Sequence, residues 1–367
     1  MINLFDVGIL TWYKSLNHGA VLQAYSSQKF LEKNGFNSIL LDYDRNVNVM
    51  ETSKDKIKRR LSYLNLNHLN MKLKEKEWNK QKRTKFDSFC DKYLNIGNMY
   101  SDYENIKNVM IGSDMVFDFY EGYNPFMYGK GVKSNNIFSY AACFGYTTEK
   151  LFDNFKNKNE IVDLISKMSG IGYRDNNTYQ ILKNKCNISN LYKNIDPVLL
   201  YGFDKEKIDW NDYGWKNQEY ILIYSYQSNL NKGIEVKEIK KFAKENGIKT
   251  VSVGYFHPWC DENINADPKQ FVELFSNAKY VITDTFHGLV FSIVMNKQFT
   301  LIVRNNSFKV LDLLKDLEIS YNVDDKINKR LHDMKNNKID YKSINNKLLE
   351  LRNESSKYLL KQLEKGE

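Results

Sequence analysis

The residues best suited to chemistry lie in the segment VITDTFHGLVFSIVMNK, which runs from Val281 to Lys297. A short β-branched run breaks at Asp284, and apolar residues at helical spacing resume after Gly288. The pattern predicts a strand, a sharp turn and a helix that opens near His287. Unpaired backbone N–H groups and the helix dipole favour an anion at such an opening. The segment therefore predicts an anion site that carries an imidazole.

Three further polar clusters follow predicted strands, and with the first they supply His18, Asp114, Arg174 and His287. The four clusters are SLNHGAVLQ (15–23), IGSDMVFD (111–118), GYRD (172–175) and TDTFHG (283–288). Turn chemistry alone explains a glycine or an aspartate at such a point, so no single cluster predicts a site. Because ligands bind outside the carboxyl ends of parallel strands, the four clusters together favour a common site.

Alternating strand and helix patterns must position these clusters. Residues 5–44 have the pattern of a β-α-β unit, and a new alternation begins near residue 196, which predicts two doubly wound α/β domains. We assign 1–195 to an N-terminal Rossmann-like domain with a basic helical insertion at about 51–94. We assign 196–343 to a C-terminal Rossmann-like domain and 344–367 to a C-terminal helix. One helix is expected to begin with Asp267 as N-cap and Pro268 at its first position.

Composition excludes several classes of protein. Hydrophobic residues make up 42% of the 367, which provides for a large core, and no apolar run has the length of a membrane span. The start of the chain has the pattern of a first strand, without the basic and apolar regions of a signal peptide. The four cysteines lack metal-like spacing and are expected as free thiols in a reducing cytoplasm.

The net charge of +9 is concentrated in a basic segment from Lys54 to Lys85. The simplest interpretation of this segment is a solvated helical face. Contact with an anionic membrane surface or a lipid-linked acceptor is the second interpretation. A nucleic-acid partner is not expected, because no recognised nucleic-acid module accompanies the charge.

Known catalytic motifs of other enzyme classes are missing from the sequence. It contains no GxGxxG after a strand, no GxxxxGK, no GxSxG elbow and no HExxH. Nicotinamide enzymes, nucleotide triphosphatases, serine hydrolases and zinc proteases are therefore disfavoured, and no metal site is predicted.

The ordered motifs resemble the polysaccharide pyruvyl transferase family. A helix like NxGAxLQAYAL is present as NHGAVLQAY (17–25), and a GSDxxW-like turn as GSDMVF (112–117), with Phe117 where Trp is usual. An SYAASFG-like strand is present as SYAACFG (139–145), followed by Arg174-Asp175, by DPVLL (196–200) and by TDTFHGLVFSI (283–293). The match covers roughly residues 5–305 apart from the basic insertion.

This resemblance implies a glycosyltransferase-B-like arrangement of two Rossmann-like domains. It also implies transfer of the carboxyvinyl group of phosphoenolpyruvate to two hydroxyls of a sugar, which forms a pyruvate ketal in a capsule, exopolysaccharide or cell-wall polymer. Phosphoenolpyruvate is the donor substrate, and the scheme needs no cofactor. The acceptor is expected to be a saccharide, free or lipid-linked. We therefore place the protein in the cytoplasm, at the inner face of the membrane.

Within this scheme, three residues are assigned to catalysis. Arg174 binds the donor carboxylate or phosphate through its planar fork, and His287 binds the phosphate or protonates it as it leaves. Asp114 is assigned as the base for a sugar hydroxyl or as the acid for the methylene carbon. Each has a structural alternative: a capping turn for Asp114, an ion pair with Asp175 or another acid for Arg174, and a satisfied buried histidine for His287.

Residues around these three are assigned to substrate binding. They are Asn17, His18, Gly19, Ser113, Thr285, Phe286 and Gly288. Gly288 is expected to let the ligand approach the backbone. His257, before a proline, is interpreted as a loop histidine, with acceptor contact as the alternative.

Two other functions compete with ketal formation. One is a sugar transferase of the same architecture that uses a nucleotide sugar, although no stretch of the sequence indicates a base and ribose pocket. The other is a non-catalytic carbohydrate-binding protein. The histidine, arginine and aspartate at strand ends argue against the latter.

Overall fold

The computed structural model describes residues 5–44, 66–120, 122–203, 213–304 and 308–366, with the backbone alone for residues 66–75. The chain divides into two compact units. The first comprises Met1–Leu16, Gln28–Asn194 and Lys357–Glu367, and the second comprises Asn17–Ser27 and Ile195–Ser356.

The first unit contains a sheet of seven parallel strands in the order β3-β2-β1-β4-β5-β6-β7. Its strands are β1 (Val7–Leu10), β2 (Ser38–Asp42), β3 (Ile96–Met99), β4 (Ile106–Ile111), β5 (Ser134–Ala142), β6 (Gly170–Tyr173) and β7 (Leu191–Lys193). All four residues of β1 are buried, as expected for a strand covered on both faces. The strand order reverses at β1, so the crevice outside the carboxyl ends of β1 and β4 is the expected ligand position in this unit.

Helices connect these strands. They are α1 (His18–Lys33), α2 (Leu66–Tyr93), α3 (Glu149–Asp153), α4 (Lys158–Ser166) and α5 (Asn176–Asn184), with short 3-10 turns at Tyr100–Asp102 and Pro125–Tyr128. Helix α2 confirms the helical character expected for the basic insertion from residue 66 onwards. Residues 51–65 of that insertion lie outside the described residues.

The second unit contains a sheet of five parallel strands in the order β10-β9-β8-β11-β12. Its strands are β8 (Tyr220–Tyr224), β9 (Lys249–Val253), β10 (Glu262–Ile264), β11 (Tyr280–Thr283) and β12 (Gln298–Leu301). Its helices are α6 (Pro197–Tyr201), α7 (Ile234–Glu245), α8 (Pro268–Asn277), α9 (Phe286–Val294), α10 (Phe308–Asp316), α11 (Ile327–Asn336) and the part of α12 (Tyr341–Glu364) that precedes Lys357. Ile223, Ile239 and Ile282 belong to its apolar core.

Local capping sets where the helices beside β11 begin. The side chain of Asp267 accepts a hydrogen bond from the backbone N–H of Gln270, and Pro268 occupies the first turn of α8. Both assignments confirm the prediction from sequence. Thr285 caps α9 in the same way, so this helix opens at Phe286, one residue before His287.

The two units divide the chain differently from the assignment 1–195, 196–343 and 344–367. Residues 17–27, at the start of α1, belong to the second unit, and residues 357–367 belong to the first. The start of α1 joins the second unit because the His18 ring stacks on Phe271 of α8, with 4.4 Å between ring centroids. Sequence periodicity shows that α1 is a helix but does not show which sheet each turn packs against.

Candidate functional site

The turn between β11 and α9 is held by two side chains of the motif TDTFHG, Thr283 and Thr285. Thr283 donates a hydrogen bond to the carbonyl of Tyr224 at 2.6 Å and accepts one from the Thr285 N–H at 3.1 Å. Thr285 in turn accepts from the Gly288 N–H at 2.9 Å. These bonds fix the first turn of α9 and thereby the direction of the His287 side chain.

Gly288 has a structural task in this turn. A Cβ atom added there would lie 1.9 Å from the Thr283 hydroxyl oxygen and 2.7 Å from that of Thr285. Glycine is therefore needed for the turn itself. The predicted close approach of a ligand to Gly288 stays a prediction.

His287 is 6% exposed and faces the carboxylate of Asp196. Its Nε2 atom lies 3.5 Å from Oδ2 of Asp196 and makes no hydrogen bond with any described residue. The Asp196 side chain is fully buried, and its Oδ1 atom caps α6 by accepting from the Val198 N–H at 2.9 Å. A carboxylate in this position favours the tautomer with hydrogen on Nε2, which leaves Nδ1 to act towards a ligand.

The start of α1 packs directly on the imidazole. A Cβ atom added to Gly19 would lie 2.2 Å from both Cγ and Nδ1 of His287. The Gly19 N–H donates to the side-chain oxygen of Asn17 at 2.9 Å, so Asn17 acts as the helix cap. Gly19, Asp196 and His287 all belong to the second unit, and we call them the histidine cluster.

His18 lies next to this cluster but is fully buried. Besides its stacking on Phe271, its Nε2 atom lies 3.0 Å from the carbonyl oxygen of Ala266, so this nitrogen carries the proton. These contacts give His18 a packing role that anchors the start of α1. The sequence had left its role open while placing it among the substrate-binding residues.

Arg174 and Asp114 form a buried ion pair in the first unit. Arg174 follows β6, and its Nη2 group donates to Oδ1 of Asp114 at 2.6 Å and lies 3.2 Å from the sulfur of Cys143. The Arg174 and Asp114 side chains are 4% and 12% exposed. Asp175, the other acid considered as a partner, instead caps α5 by accepting from Thr178. Arg174 thus forms the structural ion pair that was its alternative role. Its partner is Asp114, which was also assigned to catalysis.

Asp114 itself is held in an unusual backbone conformation. Its φ is 68°, in the left-handed region that few non-glycine residues adopt, and its carbonyl accepts from the N–H groups of Val116 and Cys143. It caps none of the described helices, so the capping alternative is wrong. Ser113, before it, is fully buried, and its carbonyl accepts from the Thr11 hydroxyl at 3.2 Å.

Asp118 supports the turn that carries Asp114. The Thr147 hydroxyl donates to Oδ1 of Asp118 at 2.6 Å, and the Tyr120 N–H donates to the same oxygen at 3.0 Å. Asp118 belongs to the motif IGSDMVFD, but its role is not evident from sequence because its partner Thr147 lies on a distant loop.

A second polar network lies at the carboxyl edge of the five-stranded sheet. Asp284 accepts from the Asn229 side chain at 2.9 Å, and Nε of Arg304 lies 3.5 Å from the same carboxylate. Arg304 also binds both carboxylate oxygens of Glu235, at 3.0 and 2.8 Å. Sequence reasoning missed Arg304. The sequence did offer a signal for it, because a cationic residue shortly after a predicted strand is a candidate for a site at the strand ends.

His257 is packed away from solvent. It is fully buried, its Nε2 atom lies 3.0 Å from the carbonyl oxygen of Ser225, and burial lowers its pKa. This geometry agrees with the interpretation of a structural loop histidine rather than an acceptor contact.

The family model for polysaccharide pyruvyl transferases matches residues 17–306, a range that holds both the histidine cluster and the Arg174–Asp114 pair. This match covers most of the chain. The chain belongs to the polysaccharide pyruvyl transferase family. The resemblance drawn from its motifs is confirmed. No curated protein matches the chain.

Solved structures similar to this pyruvyl transferase family member show its fold. A UDP-GlcNAc 2-epimerase from Neisseria meningitidis bound to UDP-GlcNAc shares 12% identity, with a TM-score of 0.53 over 98% of this chain and 99% of that one. A candidate UDP-N-acetylglucosamine 2-epimerase from Listeria monocytogenes shares 10% identity, with a TM-score of 0.53 over 92% and 90% of the two chains. At such identities the likeness bears on fold alone. It confirms the predicted α/β class with two Rossmann-like domains of glycosyltransferase-B type.

None of the described helices is both long and apolar enough to cross a membrane. Among the same residues, no group of three or more histidine, cysteine, aspartate or glutamate side chains is arranged to hold a metal ion.

Proposed function

We propose that this family member transfers the carboxyvinyl group of phosphoenolpyruvate to two hydroxyls of one sugar and forms a cyclic pyruvate ketal. The observation that carries the proposal is the histidine cluster. A buried imidazole stands in the first turn of α9, with a carboxylate facing one nitrogen and a glycine packed against the ring. Family membership supports the same reaction class.

The chemistry begins with a proton added to the methylene carbon of the donor. This creates an oxocarbenium-like centre at the neighbouring carbon, which the first sugar hydroxyl attacks as it loses its proton. The bond from that carbon to the phosphate oxygen then breaks, and inorganic phosphate leaves. The second hydroxyl attacks the same carbon, loses its proton and closes the ketal ring. The two hydroxyl protons balance the one gained by the methylene carbon and the one carried away by phosphate.

His287 is proposed to act on the phosphate. The N–H groups at the start of α9 and the helix dipole favour an anion beside the imidazole. With its Nε2 atom directed to Asp196, the ring presents Nδ1 to the leaving oxygen. In this proposal the ring enters the step as an imidazolium with hydrogen on both nitrogens, balanced by the Asp196 carboxylate, and Nδ1–H donates a hydrogen bond or the proton to that oxygen. Asp196 holds the ring in this orientation and is therefore a positioning residue.

Arg174 and Asp114 are proposed to act as a unit on the donor and the acceptor. A guanidinium has five N–H donors in a planar fork, so Arg174 can hold Asp114 through Nη2 and still recognise a carboxylate or phosphate in the complex. Asp114 then accepts the proton of a sugar hydroxyl or supplies one to the methylene carbon. Its left-handed backbone and its partner fix the direction of the carboxylate.

The test is a mass measurement on saccharides incubated with the protein and phosphoenolpyruvate. We expect a gain of one pyruvylidene group, with one inorganic phosphate released per ketal. His287→Ala should lower this activity by about 100-fold or more, as expected for loss of a transition-state contact. His332→Ala is the matched control, because its side chain is 70% exposed. Full activity of His287→Ala would overturn the assignment.

Thermal shift separates this proposal from the nucleotide-sugar alternative. We expect stabilisation of the protein by phosphoenolpyruvate and none by UDP-N-acetylglucosamine, since ligands stabilise a fold by binding it. The reverse result would favour a glycosyltransferase that uses a nucleotide sugar.

The acceptor is proposed to be a saccharide carried on a lipid in the cytoplasmic leaflet of the cell membrane. The basic segment supplies the attraction to anionic headgroups. Its part from residue 66 onwards belongs to α2, and residues 54–65 lie outside the described residues.

A further inference from the structure

A pocket of about 360 Å³ lies in the first unit at the carboxyl ends of β1 and β2. The chain that follows β1, residues 13–16, forms one wall, and Asp42 lies at the end of β2. One face of α2 forms the opposite wall. The pocket lies at the carboxyl edge of the sheet, where ligands bind in open parallel sheets, and is next to the β1–β4 switch point rather than at it. Its volume lies in the range of small-molecule sites. None of the residues assigned to catalysis from sequence lines it.

The wall from α2 presents charged groups at helical spacing. Arg83, Asp87 and Asp91 are separated by four residues each, so they lie on one face of the helix. All three side chains are exposed, and within the described parts of the chain they make no hydrogen bond or ion pair. Their polar atoms are available to a ligand.

The base of the pocket is aromatic, and polar contacts join the groups beside it. Tyr13 and Phe86 are 3% and 2% exposed. The Tyr13 hydroxyl donates to Oδ1 of Asp42 at 3.1 Å, and Lys14 forms an ion pair with the same carboxylate. An apolar base beneath several oriented polar groups is the usual pattern of a pocket that fixes the orientation of a small ligand.

The balance of charge indicates the class of ligand. Lys14 and Asp42 neutralise each other, which leaves one guanidinium and two carboxylates facing the pocket. The remaining charge is negative, so a multiply charged anion such as phosphoenolpyruvate would be repelled. Uncharged hydroxyl groups suit the pocket, because carboxylates accept their hydrogen bonds and a guanidinium donates to their oxygens.

Cys90 does not make the pocket a nucleophilic site. Burial and the nearby charges of Asp87 and Asp91 raise the pKa of its thiol to about 12. The thiol therefore stays protonated at neutral pH, and the thiolate is the reactive form.

We propose that this pocket binds a sugar ring of the acceptor, with Asp87 and Asp91 accepting hydrogen bonds from its hydroxyls and Arg83 donating to them. Helix α2 of the basic insertion thereby selects the acceptor. The identification of the bound sugar as an acceptor rests on the proposed ketal transfer. The binding of a sugar in this pocket is independent of that proposal.

Saturation-transfer NMR on the full chain tests the proposal, with the methyl pyranosides of glucose, galactose, mannose and N-acetylglucosamine as probes. We expect at least one of them to bind the wild-type protein. The double variant Asp87→Ala/Asp91→Ala should raise its Kd by about tenfold or more, since each hydrogen bond to a charged group contributes to affinity. Glu77→Ala/Asp102→Ala removes the same charge from exposed positions outside the pocket and should keep the wild-type Kd.

An unchanged Kd in Asp87→Ala/Asp91→Ala, or no binding of any of the four sugars to the wild-type protein, would overturn the proposal. The thermal shift caused by phosphoenolpyruvate should be the same in all three proteins. If sugars bind as expected but neither donor stabilisation nor ketal product is found, the proposed function fails while the sugar pocket stands.

Discussion

His287 is held by residues that lie far apart in the sequence. Asp196 faces its Nε2 atom, Gly19 packs on its ring, and Thr285 begins the helix that carries it. The motifs NHGAVLQAY, DPVLL and TDTFHG, which seem unrelated along the chain, therefore share one physical task. They orient a single imidazole within the second unit.

Replacing Asp196 by asparagine tests whether its charge positions His287. Asparagine is as good a helix cap as aspartate, so α6 should form normally. Loss of the carboxylate that orients the ring should lower kcat/KM for ketal formation by about tenfold or more, measured over a range of pH.

Asp267→Asn is the matched control, because Asp267 also caps a helix of the second unit but does not contact His287. We expect wild-type kcat/KM for this variant. Wild-type kcat/KM for Asp196→Asn across the pH range would remove Asp196 from the mechanism.

The Arg174–Asp114 pair predicts a loss of stability as well as of activity. Removing one partner leaves the other charge buried, so Arg174→Ala and Asp114→Ala should each lower the free energy of unfolding by about 3–5 kcal/mol. The double variant should lose less than the sum of the two, because it leaves no orphan charge. Urea unfolding measures all three.

The exposed pair Lys167–Asp163 provides the comparison, with side chains 67% and 58% exposed. Alanine at either position should cost less than about 1 kcal/mol. If the double variant of the buried pair lost as much free energy of unfolding as the two single variants together, the two charges would not depend on each other in the folded protein.

At the scale of elements, the approach of α1 to α9 depends on the missing side chain of Gly19. A methyl group there would overlap the His287 ring, so Gly19→Ala should destabilise the protein by about 1–3 kcal/mol and abolish activity. Adding His287→Ala removes the overlap and should restore stability but not activity. Thermal unfolding and the ketal assay measure the two effects.

Gly8→Ala is the control, because its added Cβ would meet Leu41 at 2.8 Å, away from the histidine cluster. Gly8→Ala should lower the stability, and adding His287→Ala should not restore it. If His287→Ala also fails to restore the stability of Gly19→Ala, the contact with the His287 ring is not the reason for glycine at position 19.

Lys82, on α2, predicts a dependence of stability on pH. It is 3% exposed, and burial lowers its pKa to about 8. Below that pH the folded protein holds a buried charge, so deprotonation as the pH rises towards the unfolded pKa of about 10.4 should add stability. Lys82→Met should therefore be more stable than the wild type at pH 7 by about 3 kcal/mol at most.

The difference between Lys82→Met and the wild type should shrink between pH 8 and 10.5 in thermal unfolding, because the wild-type lysine becomes neutral there. Exposed Lys85, on the same helix, is the control. Lys85→Met should show no such change. A constant difference for Lys82→Met over this range would contradict the assignment.

Local patterns in the sequence predicted the elements well. The strand, turn and helix around His287 and the cap at Asp267 depend on neighbouring residues, and both were predicted. The partners of the predicted site residues were not predicted from the sequence. Asp196 and Gly19 reach His287, and Asp114 reaches Arg174, through packing across long stretches of chain, for which periodicity carries no signal.

At the scale of the whole molecule, the basic segment predicts binding to anionic membranes. Replacing Lys58, Arg59 and Arg60 by glutamine should weaken binding to vesicles of phosphatidylcholine and phosphatidylglycerol roughly 100-fold, at about 1 kcal/mol per charge. Binding should also fall as salt is raised. Sedimentation with the vesicles measures both effects.

Glutamine at Lys240, Lys241 and Lys244 removes the same charge from exposed positions of α7 and should leave vesicle binding unchanged. An equal loss from both triple variants would mean that net charge alone drives the association, and no loss from either would exclude a membrane role for the basic segment.

Residues near the end of α12 complete the first unit. The Tyr358 hydroxyl donates to the carbonyl of Ser139 at 2.8 Å, and the Asn136 side chain donates to the carbonyl of Gln362 at 2.7 Å. Domains usually fold in order as they leave the ribosome. Here two hydrogen bonds to the seven-stranded sheet come from residues translated after the second unit. We therefore expect a nascent chain halted before Tyr358 to lack this cover on Ser139 and Asn136 and to be a target for chaperones.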